Sequence, residues 1–389
     1  MIFYYLLLLL LPFWQWARLP AYGTWTTTKI AGVLALAGAI AAIVVRRKPL
    51  FVSRWSPFWL LAAYFVFSCT LALITGFMYA QDLLMFQVSA LVLVSVSAVF
   101  IDTKERLARS LTFIAASMLI ASVFVYTSRF RYGELRPGGL FGDANYYSMA
   151  ACATLPLALA LTRISKGAPR WLGLATVVSL IASILLSASR SGFLSLFAVA
   201  AYYAFHQRRW LLTSAGLTGA VVVAAVLLPS TSLDRFLNPD YGTDLSTQAR
   251  VEIWSAAEGM IRDHPFLGVG QGLFRSRLND YSPDLQRQQI AHNAYLGIAA
   301  ESGLPMLLLF VSIFIIGWFS ARSVRRFYER EQDAFLREVA LAVEIGILSV
   351  CISGMFISTE TGRQTWLLVG LATVLIRLQT MDALSHRID

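Results

Sequence analysis

Runs of mostly apolar residues, most of them close to twenty long, recur along the whole chain, and that repetition decides its fold class. The hydrocarbon core of a bilayer is about 30 Å thick, so a helix rising 1.5 Å per residue needs about twenty apolar residues to cross it. Inside lipid every backbone N–H and C=O must find a partner within the protein, which makes such runs helices. They fall at 2–16, 28–45, 57–79, 82–101, 107–128, 144–162, 171–188, 191–206, 210–228, 304–321, 338–357 and 365–380. The expectation is an all-α, polytopic membrane protein with about twelve transmembrane helices and one long polar loop. Three units follow: N-terminal helices over 1–228, a loop domain over 229–303, and C-terminal helices over 304–389. Only 14% of the residues are charged, against about 25% in soluble proteins, so a soluble protein with a large core is excluded.

The first run lacks a basic leader and a small-residue cleavage site, and it reads as a retained helix rather than a removed signal peptide. The net charge of +10 does not call for nucleic acid, because the basic residues are spread over short loops. Arg46-Arg47-Lys48, Lys104 with Arg106 and Arg109, Arg163 with Lys166 and Arg170, Arg208-Arg209, and Arg322 with Arg325 and Arg326 fall on alternate loops. The positive-inside rule makes that side the cytoplasm, with both termini on it. Cys69, Cys152 and Cys351 lie inside apolar runs and give no disulfide framework or metal spacing. His206, His264, His292 and His386 are scattered without a pair at helical spacing, so no metal site is expected.

The opposite face receives the unusual chemistry: the loop 129–143, the turn Ser189-Arg190-Ser191-Gly192, the stretch 229–291, and the turn Thr359-Glu360-Thr361-Gly362-Arg363. Within the long loop an amphipathic helix is expected from about Thr247 to Arg262, capped by Asp244 or Ser246. Val251, Trp254, Ala257 and Ile261 supply its apolar stripe, and Asp263-His264-Pro265 ends it, because the residue before proline is pushed out of helical geometry. Such a helix lies on the membrane surface or over the spanning helices. Gly268-Val269-Gly270-Gln271-Gly272 lacks the features of a P-loop or a dinucleotide fingerprint and is not a nucleotide site.

Arg190 sits between two apolar runs at the outer boundary. Arginine at a helix centre costs about 2.5–3.5 kcal/mol, so intramembrane charges are functional by default. A snorkelling arginine is the plain alternative, but positive-inside statistics work against it on this face. Arg250, near the start of the loop helix, adds its guanidinium to the positive end of a helix dipole and suits an anion; pairing with Glu252 or Asp244 serves equally well. Arg275, Arg277 and Arg287 are weaker candidates, since a basic loop over anionic lipid is ordinary. His292, in Ala291-His292-Asn293-Ala294-Tyr295-Leu296, stands where the polar loop meets a membrane helix. A lone histidine is most often structural, yet an imidazole titrating near pH 6.5 can take a proton from a hydroxyl at neutral pH, an effect worth about 10²–10⁴ in rate. Asn293 can bind a sugar or orient the ring, and Glu301 lies nine positions on. In Phe141-Gly142-Asp143-Ala144-Asn145-Tyr146-Tyr147, Asp143 serves as an N-cap as readily as a substrate contact, Asn145 is a possible substrate-binding residue, and Tyr146, Tyr147 and Tyr126 fit an interfacial aromatic belt. Glu344, the one acid deep in an expected span, receives no role.

Two arginines and a histidine on one membrane face match a lipid-linked pyrophosphate carrying a sugar. Arginine forks bind phosphate oxygens bidentately and stabilise the departing diphosphate, while the histidine deprotonates an incoming hydroxyl. Direct displacement inverts the anomeric carbon, and no metal or cofactor is required.

His292-Asn293 followed after nine residues by Gly303 resembles the signature of the O-antigen ligases, with Met306 where that signature carries Gly, Thr or Tyr. The segment from Gln248-Ala249-Arg250-Val251-Glu252-Ile253-Trp254 to His264-Pro265-Phe266-Leu267-Gly268-Val269-Gly270, together with Ser189-Arg190-Ser191-Gly192 and Gly142-Asp143-Ala144-Asn145, resembles the wider O-antigen ligase and O-antigen polymerase superfamily. The resemblance spans about 136 to 320. It implies that Arg190 and Arg250 hold undecaprenyl diphosphate and that His292 is the base. The function expected is therefore a multi-pass glycosyltransferase of the bacterial inner membrane, its site facing the periplasm. It would move a glycan from undecaprenyl diphosphate to an acceptor hydroxyl, foremost the lipid A–core oligosaccharide of lipopolysaccharide. A polymerase acting on a second lipid-linked repeat and a protein O-glycosylation ligase are the enzyme alternatives. A transporter or flippase is disfavoured, since coupled transporters place ionisable groups near the midplane.

Overall fold

A computed structural model of the chain describes residues 1–13, 26–46, 53–54, 56–207, 244–283 and 289–385. These form helices joined by turns, with no strand among the described residues. In chain order they are α1 (Ile2–Leu10), α2 (Thr27–Arg46), α3 (Pro57–Thr75), α4 (Phe77–Phe100), α5 (Lys104–Phe130), α6 (Ala144–Ile164), α7 (Ala168–Leu186) and α8 (Arg190–Gln207). After them come α9 (Asp244–Asp263), α10 (Phe274–Tyr281), α11 (Ala294–Arg330), α12 (Ala334–Gly354) and α13 (Arg363–Ser385). Eight of the described helices, α2 to α7, α11 and α13, are long and apolar enough to cross a membrane. The expectation of twelve therefore stands at eight by this measure. The expected span 210–228 lies outside the described residues. α1 covers only nine residues, about 13 Å of helix, and α12 carries Arg337, Glu338 and Glu344.

Polar side chains start the helices where the apolar runs begin. Ser56, Thr103, Asp143, Asn293 and Asp333 each accept a hydrogen bond from a first-turn N–H of α3, α5, α6, α11 and α12, pairing donors that no helical carbonyl can reach. The helices then pack around α6, which contacts α5, α7, α8 and α12. Ala150, Ala151, Cys152 and Ala153 along α6 are all buried; small residues of this kind let membrane helices approach closely. α13 packs against α4, α11 and α12. A cluster of rings fills the seam where α3, α11 and α13 meet, with Phe310 4.9 Å from Phe314 and 6.0 Å from Tyr64 between centroids. Outward side chains such as Leu73 and Met78, each at least 80% exposed, are apolar, as lipid-facing residues should be.

The two ends of the bundle differ. At one end Arg163 pairs with Glu338 at 3.0 Å, Lys104 pairs with Asp333, and Arg325 pairs with Glu344 at 2.8 Å. Arg322, Arg325 and Arg326, expected in a loop beyond a span ending at 321, instead continue α11 as far as Arg330. That extension brings Arg325 beside Glu344, whose carboxylate is fully buried and also accepts from the Tyr202 hydroxyl. A carboxylate about 15 Å into α12 is tolerated because two donors hold it.

At the opposite end α9 lies across the start of α11. Ile253, Ala256, Ala257 and Met260 form its buried face, with Trp254 and Ile261 partly buried beside them. Val251, expected in the stripe, is 61% exposed. The buried residues follow i, i+3, i+4 and i+7 from Ile253, so the face is rotated away from Val251. Asp244 and Ser246, the expected caps, have side chains outside the described residues.

Candidate functional site

His292 is placed by contacts on either side of it. The Ala291 carbonyl accepts the Trp254 indole N–H at 2.9 Å, tying the segment before α11 to α9. Asn293 caps α11 through its side-chain oxygen, which accepts from the N–H groups of Tyr295 and Leu296 at 3.0 and 3.1 Å. Between them His292 adopts φ 46°, a left-handed conformation that non-glycine residues seldom take and that costs about 1–2 kcal/mol. The geometry directs the Asn293 carbonyl oxygen to its own helix.

The start of α11 is clasped by the glycine-rich loop. Leu304 N–H donates to the Pro265 carbonyl at 2.8 Å, Val269 N–H to Ala300 at 2.8 Å, and Gly270 N–H to Glu301 at 3.1 Å. These bonds satisfy carbonyls and an amide freed where α11 kinks at Gly303 (φ 83°) ahead of Pro305. A Cβ on Gly303 would lie 2.2 Å from the Phe266 oxygen, and one on Gly268 (φ 69°) would lie 2.3 Å from the Glu301 carbonyl carbon. The loop continues inward, where Gln271 donates to Ser68 of α3 at 2.7 Å. Glu301 accepts the Phe274 N–H at 3.1 Å through its side chain and so anchors α10.

The arginines gather on the same end. Ser189 caps α8 by accepting the Gly192 N–H at 3.1 Å, which sets Arg190 at the first helical position and exposed. The same Ser189 hydroxyl donates to Asn145 Oδ1 at 2.7 Å, and Arg136 donates to that oxygen at 3.3 Å. Asn145 thus joins the start of α6, the start of α8 and the loop 131–143. Asp143 caps α6, accepting from the N–H groups of Asn145 and Tyr146 at 2.8 and 3.1 Å. Arg250 of α9 loses solvent to burial and feels Arg136 and Arg190, and its pKa is pushed down, with Asp143 opposing. Guanidinium remains charged after such a shift, so the cluster concentrates positive charge around Arg250, with Asp143 opposing it. The His292 pKa is also pushed down, first by burial and then by Arg250 and Arg275, with Asp143 again opposing. A neutral imidazole results at neutral pH.

The geometry therefore brings Arg190, Arg250, His292, Asp143, Asn145 and Arg275 into one neighbourhood. Arg136 belongs to it too and was not singled out from the sequence; its signal was a basic residue on a face where short loops carry few. No group of His, Cys, Asp and Glu among the described residues is arranged to hold a metal ion.

Beside the segment that leads to His292 a cavity of about 410 Å³ opens. Ile290 and Ala291 form one wall, and Tyr64, Phe86, Phe141 and Tyr146 supply rings. Its polar lining includes Asp82, Arg275, Glu301, Glu360 and Arg363. Glu360, on a 3₁₀ turn ahead of α13, is pushed up to about 8, mainly by burial and also by Glu301. Its Oε2 has no hydrogen-bond partner. Sequence reasoning marked the turn 359–363 without giving Glu360 a task, because the walls that bury it come from distant helices.

No curated protein matches the chain. Residues 174–311, a stretch that contains Arg190, Arg250, His292 and Gly303, match the family model described as O-antigen ligase.

Proposed function

We propose that the protein transfers a glycan from undecaprenyl diphosphate to an acceptor hydroxyl, foremost that of the lipid A–core oligosaccharide, at the periplasmic face of the bacterial inner membrane. The observation that carries this reading is the positive cluster of Arg136, Arg190 and Arg250 coupled to a neutral, partly buried His292. Concentrated guanidinium groups suit a diphosphate, whose charge grows as the glycosidic bond breaks, and stabilising such developing charge is usually the largest catalytic contribution. His292 accepts the proton of the acceptor hydroxyl as its oxygen bonds to the anomeric carbon. The bond from that carbon to the diphosphate oxygen breaks with its electron pair, which leaves with the lipid diphosphate against the arginines. Attack opposite the leaving group inverts the anomeric centre. Asp143 and Asn145 hold the arginine-bearing elements in register, and Arg275 lines the cavity while its charge acts on the histidine. The arginines supply the positive charge that the leaving group requires, so no metal ion is called for.

Reconstitution of the purified chain in proteoliposomes with a lipid-linked glycan and lipopolysaccharide lacking O-antigen tests this. Glycan should appear on the lipopolysaccharide, with chelator present. Ladder growth without lipopolysaccharide assigns a polymerase instead, and no product with either acceptor contradicts glycan transfer.

A further inference from the structure

The cavity beside His292 is not closed on its apolar side. A second pocket of about 330 Å³ shares Phe86, Thr361 and Arg363 with it. This pocket runs between α1, α2 and α4, lined by residues such as Leu7, Gly32, Leu36 and Leu93. Leu7, Gly32 and Leu36 lie in the halves of their helices nearer the His292 end, and Leu93 carries the pocket past the middle of α4. The two spaces have opposite character. One mixes aromatic rings with carboxyl groups, the combination that stacks on a sugar ring and bonds its hydroxyls. The other is a hydrocarbon slot with Lys29 and Arg363 among its lining residues, where an anchor's phosphate would meet positive charge.

We propose that the two pockets form one site for a lipid-anchored sugar acceptor, its sugar among Tyr64, Tyr146, Glu301 and Glu360 and a chain of its anchor between α1, α2 and α4. This deepens the glycan-transfer reading and rests on it, because the occupant becomes the acceptor. Ile290 and Ala291 line the cavity while Arg136, Arg190 and Arg250 do not, so the acceptor lies next to the base and apart from the diphosphate. Glu360 Oε2, buried without a partner, gains one when a sugar hydroxyl arrives. Below about pH 8 that carboxyl is protonated and can donate as well as accept, without the cost of a buried charge. Combined space of this size falls within the range of ligand sites, about 300–1,000 Å³.

Gly32→Phe tests the slot, since a side chain there meets only Leu7 at 3.9 Å and points into free space. Transfer is measured in proteoliposomes to a lipid-anchored oligosaccharide and to the same oligosaccharide released from its lipid. Gly32→Phe should raise KM for the anchored acceptor about tenfold, the equivalent of losing burial for two methylenes, and leave KM for the released one unchanged. Glu360→Ala should raise KM for both acceptors, with Glu360→Gln recovering most of the loss. Val178→Phe, on the exposed face of α7, should change neither. Equal KM for the anchored acceptor in Gly32→Phe and the parent, or equal weakening of both acceptors, overturns the proposal. Binding of the anchored acceptor without donor separates the two readings. Binding that Gly32→Phe weakens, in a chain that transfers nothing, supports the site and refutes glycan transfer.

Discussion

In the proposed reaction His292 can act as a base only while its imidazole is neutral. Burial and the positive charges of Arg250 and Arg275 disfavour the imidazolium, so its pKa lies below the usual 6.5. Transfer should therefore persist as pH falls through 6.5 and decline only below it. In Arg250→Gln one of the charges that oppose protonation is gone, the histidine pKa rises, and the acid limb of kcat/KM, which reports the free enzyme, should move to higher pH. The profile of the variant against the parent checks this; an unmoved or lowered limb contradicts the coupling. Arg190 and Arg250 were visible in the sequence because charge at a membrane boundary is costly and because helix starts favour anions. Arg136 was not, since its place is defined by the oxygen of Asn145 that it shares with Ser189. Glu301 and Asn293 carried motif positions, and the structure gives each a backbone partner: Glu301 holds α10, and Asn293 caps α11.

At the scale of elements, the glycine-rich loop and the start of α11 form one unit. Gly303 and Gly268 adopt left-handed backbone and leave no room for a side chain against the facing backbone. Gly303→Ala should cost about 2 kcal/mol or more, combining strain with the clash. Gly133→Ala shares the left-handed φ but meets nothing within 4 Å, and its cost should be about 1 kcal/mol. Thermal unfolding in detergent should rank Gly303→Ala well below Gly133→Ala; equal midpoints contradict the clasp. Membrane helices were readable because bilayer thickness fixes their length, and α3, α6 and α7 start within a few residues of where the apolar runs begin. Less readable were features set by distant contacts. The buried face of α9 is chosen by α10 and α11, which select Ile253 and Met260 over Val251. Likewise α11 outruns its apolar stretch because Glu344 awaits Arg325.

Across the whole molecule, charge is divided by purpose. At one end arginines meet carboxylates in paired contacts, Arg163 with Glu338 and Arg325 with Glu344, which hold α6, α11 and α12 together. At the other end Arg136 and Arg190 add positive charge around Arg250, and Asp143 opposes it. Mutual repulsion of that kind lowers stability unless an anion relieves it, and the proposed lipid diphosphate would be such an anion. Donor binding and transfer, measured together on His292→Ala and Arg190→Ala in proteoliposomes, test this division of labour most directly. The account predicts that His292→Ala binds the lipid-linked glycan as the parent does but transfers it at least about a hundredfold more slowly, whereas Arg190→Ala weakens donor binding itself. Transfer at the parent rate by His292→Ala, or unchanged donor affinity in Arg190→Ala, would contradict it.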